Sequence, residues 1–244
     1  MIEIDGLVKT YEGFTAVDEL SLHVGAGEIL GLVGPNGAGK TSTLRCLAGI
    51  IPMTSGRIRI CGHDIVEEPI AARRCLAFVP DEPHLFDHLT VWDHMTLFAR
   101  IYGVANAEQR ATQLLEQNDL AEQHHAFPGE LSRGMKQKLL ICCSLLHHPE
   151  ALIFDEPLTG LDPGSMRRTK RTIVKTAASG ASVIVSSHML QLVEEVCDRI
   201  LILQHGKKIL EGTLEEIRAR VPDLSGDADL EEIFLRATGQ DTED

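Results

Sequence analysis

Hydrophobic positions along the chain follow two rhythms. Short β-branched or Leu-rich runs recur at residues 2–8, 20–24, 29–33, 57–61, 76–79, 151–154, 182–186 and 200–203. Several are apolar at consecutive positions, as strands covered on both faces are. Between them, residues 40–50, 166–178 and 189–196 carry apolar side chains at three- and four-residue steps, which predicts helices. This alternation of strand and helix predicts an α/β fold with a parallel sheet. The rhythm breaks between residues 85 and 147, where 91–101, 108–118 and 132–147 read as consecutive helices and mark a helical insert. After Pro222 the chain turns polar, and Leu230, Ile233, Phe234 and Ala237 then form one apolar stripe. A body over residues 1–222 is therefore expected, followed by a tail over 223–244 in which a flexible link leads to a short docking helix.

Composition narrows the class. The 244 residues include 36 acidic and 23 basic side chains, for a formal net charge of -13. Residues 223–244 hold eight acids and one arginine, so about half of that charge lies in the tail and the body is only mildly acidic. An acidic balance argues against a sequence-independent grip on nucleic acid, and no nucleic-acid partner is expected. No apolar run approaches the roughly 18 residues a membrane helix needs, and residues 1–9 lack the layout of a signal peptide. The six cysteines, at 46, 61, 75, 142, 143 and 197, show no C-x-x-C pair and no zinc-finger spacing to a histidine. Reduced, mostly buried thiols are expected, without structural zinc. The paired and clustered histidines, among them His84, His88, His94, His124, His125, His147 and His148, lack a regular ligand spacing and are not expected to bind metal.

Two strings carry chemistry. GPNGAGKT, from Gly34 to Thr41, follows the strand-like EILGLV and opens a helix-like stretch, matching G-x-x-x-x-G-K-[ST] in its required setting. Its glycines let successive backbone N–H groups turn inward, and the helix N-terminus adds its positive end, which makes a phosphate cradle. Gly34, Pro35, Asn36, Gly37, Ala38, Gly39, Lys40, Thr41 and Ser42 are the candidate contacts. Lys40 would bridge the β- and γ-phosphates, and the Thr41 hydroxyl would hold Mg²⁺. The second string, ALIFDEP, is an apolar strand ending in two acids. Asp155 at the strand end can reach a metal, while Glu156 points past it to an attacking water, as general base or orienting group. Strand-terminal acids also cap helices, but the cradle upstream and the immediate Pro157 favour hydrolysis.

At this point the residues resemble the ATP-binding subunits of ABC transporters. LSRGMKQKL, residues 131–139, looks like that family's LSGGQ signature, and Ser132 precedes Asp155 by 23 positions, close to the family spacing. GLDP, residues 160–163, matches the loop after the catalytic acid, and SSH, residues 186–188, resembles the switch histidine. Tyr11 follows the first strand where the family stacks an aromatic on adenine. The resemblance runs from about residue 2 to 212. It implies a RecA-like P-loop NTPase core with an antiparallel β subdomain and an inserted α-helical subdomain. It also implies that ATP is sandwiched between two subunits, with Ser132 and the Gly134 N–H reaching the γ-phosphate held by a partner and Asp162 acting across the dimer. His188 would contact the γ-phosphate and link it to Glu156, and ATP and Mg²⁺ are the implied cofactors. The implied partners are a separate integral membrane permease and a second ATPase subunit, as homodimer or heterodimer, at the inner face of the cell membrane.

Three positions depart from the family pattern. Asp81, in FVPDEP, replaces the usual Gln and can approach Mg²⁺ while adding negative charge beside the phosphates. Arg133 and Met135 replace Gly and Gln of the signature, and Arg133 would either add a cation near the neighbouring nucleotide or face solvent. Asp81, GMKQK and LEEIFLRATG together resemble the branch serving drug, antibiotic or lipid exporters. The competing readings are an importer's energy subunit and a soluble ATPase switch acting on ribosomes or DNA. In the family, the region of HLTVWDHMTLFARIYG together with the Asp81 loop receives a coupling helix, so residues 81–87 are expected to form part of a docking groove.

Overall fold

The computed structural model describes residues 1–221 and 228–239. Two sheets organise the chain. The first is antiparallel, in the order β2-β1-β4-β5, from β1 (Ile2–Tyr11), β2 (Phe14–Val24), β4 (Ser55–Ile60) and β5 (His63–Asp64). The second has six strands in the order β10-β9-β3-β8-β7-β6, from β3 (Ile29–Val33), β6 (Leu76–Val79), β7 (Ala151–Asp155), β8 (Ser182–Ser186), β9 (Arg199–Gln204) and β10 (Lys207–Gly212). The four pairings from β9 to β6 are parallel, and β10 joins β9 antiparallel at the edge.

The central strands β3, β7 and β8 are buried at every position because both faces are covered. In β7, Leu152 and Phe154 pack into a core shared with the helical insert, while Ala151 and Ile153 pack into a second core under the antiparallel sheet. Helix α1 (Lys40–Leu47) supplies Leu44 and Leu47 to that second core. The insert consists of α3 (Val91–Tyr102), α4 (Ala107–Gln117) and α5 (Arg133–Leu145), between β6 and β7. Thr90 starts α3 with a capping box, its hydroxyl accepting from Asp93 N–H while the Asp93 carboxylate accepts from Thr90 N–H. Val91, Met95 and Ala99 of α3 are buried, so most of that apolar face is core.

After β7, α6 (Pro163–Ala178) and α7 (Leu190–Val196) complete the crossovers to β8 and β9. A third cluster then forms around β9, α7, α8 (Leu214–Arg220) and α9 (Leu230–Thr238). Leu230 and Ile233 of α9 are fully buried against it, so this helix packs onto the body. The link expected after Pro222 lies outside the described residues.

Elements that the sequence pattern missed have physical reasons. β10 reads KKILEG, an edge strand with one solvated side, and α2 (Pro69–Arg74) and α8 are too short to show a helical period. In β2 the recognisable run begins only at Leu20, because Glu19 sits at φ 51° in a bulge between the Val17 and Leu20 pairings and interrupts the alternation.

The histidines are absorbed by packing. His94 is buried, with Nδ1 2.7 Å from Thr90 O and Nε2 accepting from Phe86 N–H at 3.0 Å. His124 stacks on Trp92, and His147 stacks on Tyr102 with ring centroids 3.7 Å apart. Burial, with His148 adding to it, lowers the His147 pKa to about 4. A depressed pKa means that the neutral ring's contribution is complete above its unfolded value near 6.5 and is lost as pH falls toward about 4. Denaturant unfolding should therefore show stability declining across that window. His147→Phe, which keeps the stack, should flatten the decline, and an unchanged pH profile would exclude the assignment.

Candidate functional site

The turn between β3 and α1 is squeezed between the two sheets. A Cβ on Gly34 would lie 2.4 Å from Leu203 O, and one on Gly39, at φ 104°, would lie 2.3 Å from Ala16 O. No side chain fits at either place. Gly206 N–H donates to Ala38 O at 3.0 Å and Asp18 N–H to Gly206 O at 2.9 Å, which ties the loop to β2 and to the β9–β10 turn. The curled backbone presents the start of α1, and Lys40 Nζ donates to Gly34 O at 2.6 Å and Pro35 O at 3.1 Å.

A cleft of about 460 Å³ opens over this loop. Asn36, Gly37, Ala38, Gly39, Lys40, Thr41 and Ser42 form one wall of it, and Asp81, Asp155, Glu156 and His188 form the other. Gly34 and Pro35 lie beneath as the carbonyls that hold Lys40. Tyr11 stands at the mouth, 41% exposed, with its hydroxyl 3.4 Å from Ser42 Oγ and Lys9 Nζ 4.6 Å from its ring centre. Phe14, 64% exposed, lines the same mouth across the hairpin from Tyr11. Sequence reasoning missed Phe14, because an aromatic in a strand normally signals packing, and only its exposure reveals otherwise.

The acids are held in distinct ways. Asp155 ends β7, buried, and burial raises its pKa, with Glu156 and Asp81 pushing the same way and Lys40 opposing. Burial lowers the Lys40 pKa, while Glu156 and Asp155 pull it back up. Glu156 sits in the left-handed region at φ 50°, an uncommon place for a residue with a side chain. Its N–H donates to Ser186 O at 2.9 Å, which binds the strained residue to the end of β8. Its carboxylate accepts from His188 N–H at 2.9 Å and Ser187 Oγ at 3.2 Å, and lies 2.8 Å from His188 Nδ1. The His188 ring is largely exposed, so it links the partly buried acid to the open cleft.

Negative charge therefore accumulates beside Lys40 and the α1 N-terminus. The available donors are hard oxygens, the Thr41 hydroxyl and the Asp155 and Asp81 carboxylates. This donor set suits Mg²⁺ and no thiophilic ion.

Ser132, Gly134 and Asp162 lie outside this cleft. Ser132 caps α5, accepting from Met135 N–H at 3.2 Å, and Gly134 packs against Gly160 O. Asp162 caps α6, accepting from the N–H groups of Gly164 and Ser165 and from Ser165 Oγ, which holds its pKa at about 2. Arg133 neither faces solvent freely nor stands apart from its own cleft. Its guanidinium donates to Asp81 Oδ1 at 3.1 Å, and its stem lies against Gly160. Both partners of that pair are about half exposed, so it contributes roughly 0–1 kcal/mol and is easily exchanged. Gln137 of α5 adds a buried link, donating to Pro80 O at 3.2 Å.

A second depression, a groove of about 470 Å³, runs between α3 and α4 and is lined by Trp92, Met95, Thr96, Ala99, Val104 and Ala107 among others. Residues 81–87 do not line it. Phe86 N–H is bonded to His94, and Leu85 packs on the insert core, which ties that loop to α3. No helix among the described residues is long and apolar enough to cross a membrane.

Comparisons with known proteins agree on one family. The sequence profile described as "ABC transporter" matches residues 17–159, more than half of the chain. The Nod factor export ATP-binding protein I of Paraburkholderia xenovorans (strain LB400) is 39% identical over 213 residues, covering 86% of this chain and 70% of that protein. The daunorubicin/doxorubicin resistance ATP-binding protein DrrA of Streptomyces peucetius is 35% identical over 220 residues, covering 89% and 67%. A solved structure described as the ATP binding subunit of an ABC transporter superposes with a TM-score of 0.92 at 33% identity, covering 97% of this chain and 99% of that one.

Gly39→Ala should abolish nucleotide binding, because the new methyl meets a backbone carbonyl that cannot move without separating the two sheets. Titration with ATP and a thermal melt on the same variant test this. Wild-type affinity in a folded Gly39→Ala protein would refute it.

Proposed function

The chain belongs to the ABC transporter family as an ATP-binding subunit, and on that premise we propose that it powers an exporter by closing as a dimer on ATP and reopening after hydrolysis. As a member of this family it is an ATPase whose hydrolysis is coupled to transport. The observation that carries the mechanism is the convergence of Lys40, Asp155, Glu156 and His188 on one cleft from three separate segments.

In this mechanism Lys40 leaves the Gly34 and Pro35 carbonyls for the β- and γ-phosphates, and the loop N–H groups take the phosphate oxygens. Tyr11 and Phe14 offer aromatic surface for the base at the mouth. Thr41 and Asp155, with Asp81 beside them, are the residues that would hold Mg²⁺, which when bound neutralises phosphate charge. Glu156 orients the attacking water and accepts its proton. Its bonds to Ser187 and His188 fix the carboxylate before substrate arrives, so orientation is settled in advance. His188, exposed beside it, contacts the γ-phosphate and reports its presence to Glu156.

Ser132, Gly134 and Asp162 stand outside the chain's own cleft, and we assign them to the nucleotide of a second subunit. Closure then follows from differential binding, since the γ-phosphate is gripped from both sides and its departure removes the contacts that held the dimer shut. We assign residues 1–222 to this ATPase unit and 223–244 to a tail. The α3–α4 groove takes a cytoplasmic helix of a separate membrane permease, which places the subunit at the inner face of the membrane. The exporter direction rests on relatives named for Nod factor export and for drug resistance.

Glu156→Gln should lower turnover at least about 100-fold while leaving ATP affinity near wild type, and should trap an ATP-dependent dimer in size-exclusion chromatography. Lys40→Ala should instead weaken ATP binding by roughly 10- to 100-fold, as loss of a charge-assisted contact does. Normal steady-state hydrolysis by the Glu156 variant would contradict its role. Thr96→Arg, in the α3–α4 groove, should leave ATP binding intact and reduce recovery of a multispan membrane protein on affinity purification from native membranes. Equal recovery would exclude the groove as the docking surface.

A further inference from the structure

Away from the nucleotide cleft the fold gathers two thiols and a carboxylate from three separate segments. Cys61 lies in the turn between β4 and β5, Cys75 follows α2 and directly precedes β6, and Glu150 directly precedes β7. Pairing of Leu76 with Ala151 sets Cys75 beside Glu150 at the starting ends of those strands, opposite the end that carries Asp155. The β4–β5 hairpin of the other sheet brings Cys61 to them. Both sulfurs and a Glu150 oxygen lie within 4.8 Å of one another.

The turn is itself unusual. Its two central residues, Cys61 and Gly62, have φ values of 51° and 85°. Hairpin turns of this kind take Asn, Asp or Gly at both places, so a cysteine is held there at a backbone cost. Cys61 and Cys75 are partly exposed and Glu150 is exposed, so solutes reach all three. The Met1 amino group is a cationic neighbour, 3.8 Å from Cys61 Sγ.

We propose that Cys61, Cys75 and Glu150 form a binding site for a soft divalent cation of the zinc type, joining the antiparallel sheet to the parallel sheet on the side away from the nucleotide. Two sulfurs and one carboxylate oxygen are a zinc donor set, with one position left for water. At bond lengths of about 2.3 Å to sulfur and 2.1 Å to oxygen, tetrahedral donors stand roughly 3.5–3.8 Å apart, so separations up to 4.8 Å close by side-chain rotation. Binding converts both thiols to thiolates and releases two protons to solvent. Burial pushes the Cys75 thiol up, with Cys61 and Glu150 adding to it, and the cation offsets all three. The site lies outside the proposed ATPase machinery and stands whether or not that mechanism holds.

The test uses the full chain, reduced, metal-free and without nucleotide, titrated with Co²⁺ and then Zn²⁺. Thiolate-to-cobalt charge-transfer absorption should grow to one equivalent, zinc should displace it, and zinc should raise the melting temperature. Cys61→Ser and Cys75→Ser should each abolish the absorption. Glu150→Gln, which disturbs no packed group, should weaken zinc binding by more than the roughly 10- to 100-fold that loss of an outer-shell partner costs. A folded wild-type chain without the absorption would overturn the proposal. So would absorption that survives both cysteine substitutions, or zinc affinity unchanged in Glu150→Gln.

Discussion

The nucleotide cleft depends on three backbone segments lying closer together than side chains permit. The β3–α1 loop passes beneath Ala16 of the antiparallel sheet and beside Leu203 of the parallel sheet, with glycine at both contacts and Gly206 closing the third side. Because the two sheets approach this closely here, the same contact that shapes the phosphate cradle also helps set how the sheets stand relative to each other. The covered strands on either side then follow, with alternate residues of β7 and β8 filling two separate cores.

Electrostatics set the second constraint. Asp155, Glu156 and Asp81 face Lys40 across the cleft, and burial of Asp155 makes their mutual repulsion costly. The protein offsets it in three ways. Lys40 and the α1 N-terminus supply positive charge, Ser187 and His188 donate hydrogen bonds to Glu156, and Arg133 draws Asp81 aside. The first two are held by partly buried groups, and the third is a half-exposed pair of small net worth. Asp81 is thus the carboxylate most easily redirected when a cation or a phosphate arrives.

That pair also joins the insert to the cleft. α5 begins at Arg133, places Gln137 under the Pro80 carbonyl and buries Leu139, Cys142 and Cys143 in the core it shares with α3 and β7. A change at Asp81 therefore bears on a helix whose other end supports the α3–α4 groove. Here a chain of packed and hydrogen-bonded groups connects the nucleotide side with the surface assigned to the permease, a physical route for coupling that rests on spatial continuity.

The chain's local pattern carried the parallel sheet, the three insert helices, the phosphate cradle and the two acids, because each is written in a few adjacent residues with a period or a spacing. Ser132 and Asp162 each cap a helix, an arrangement that acts over three residues. Resemblance to the family ordered the remaining site residues, but contacts across long separations had no local signature. Tertiary structure alone decided that Asp81 meets Arg133 across 52 positions and that Phe14 stays exposed beside Tyr11. It also brought Cys61, Cys75 and Glu150 together although their spacing matched no metal motif. Edge strands and short helices escaped for a related reason: with one face in water or barely two turns, burial imposes no period that the residues must obey.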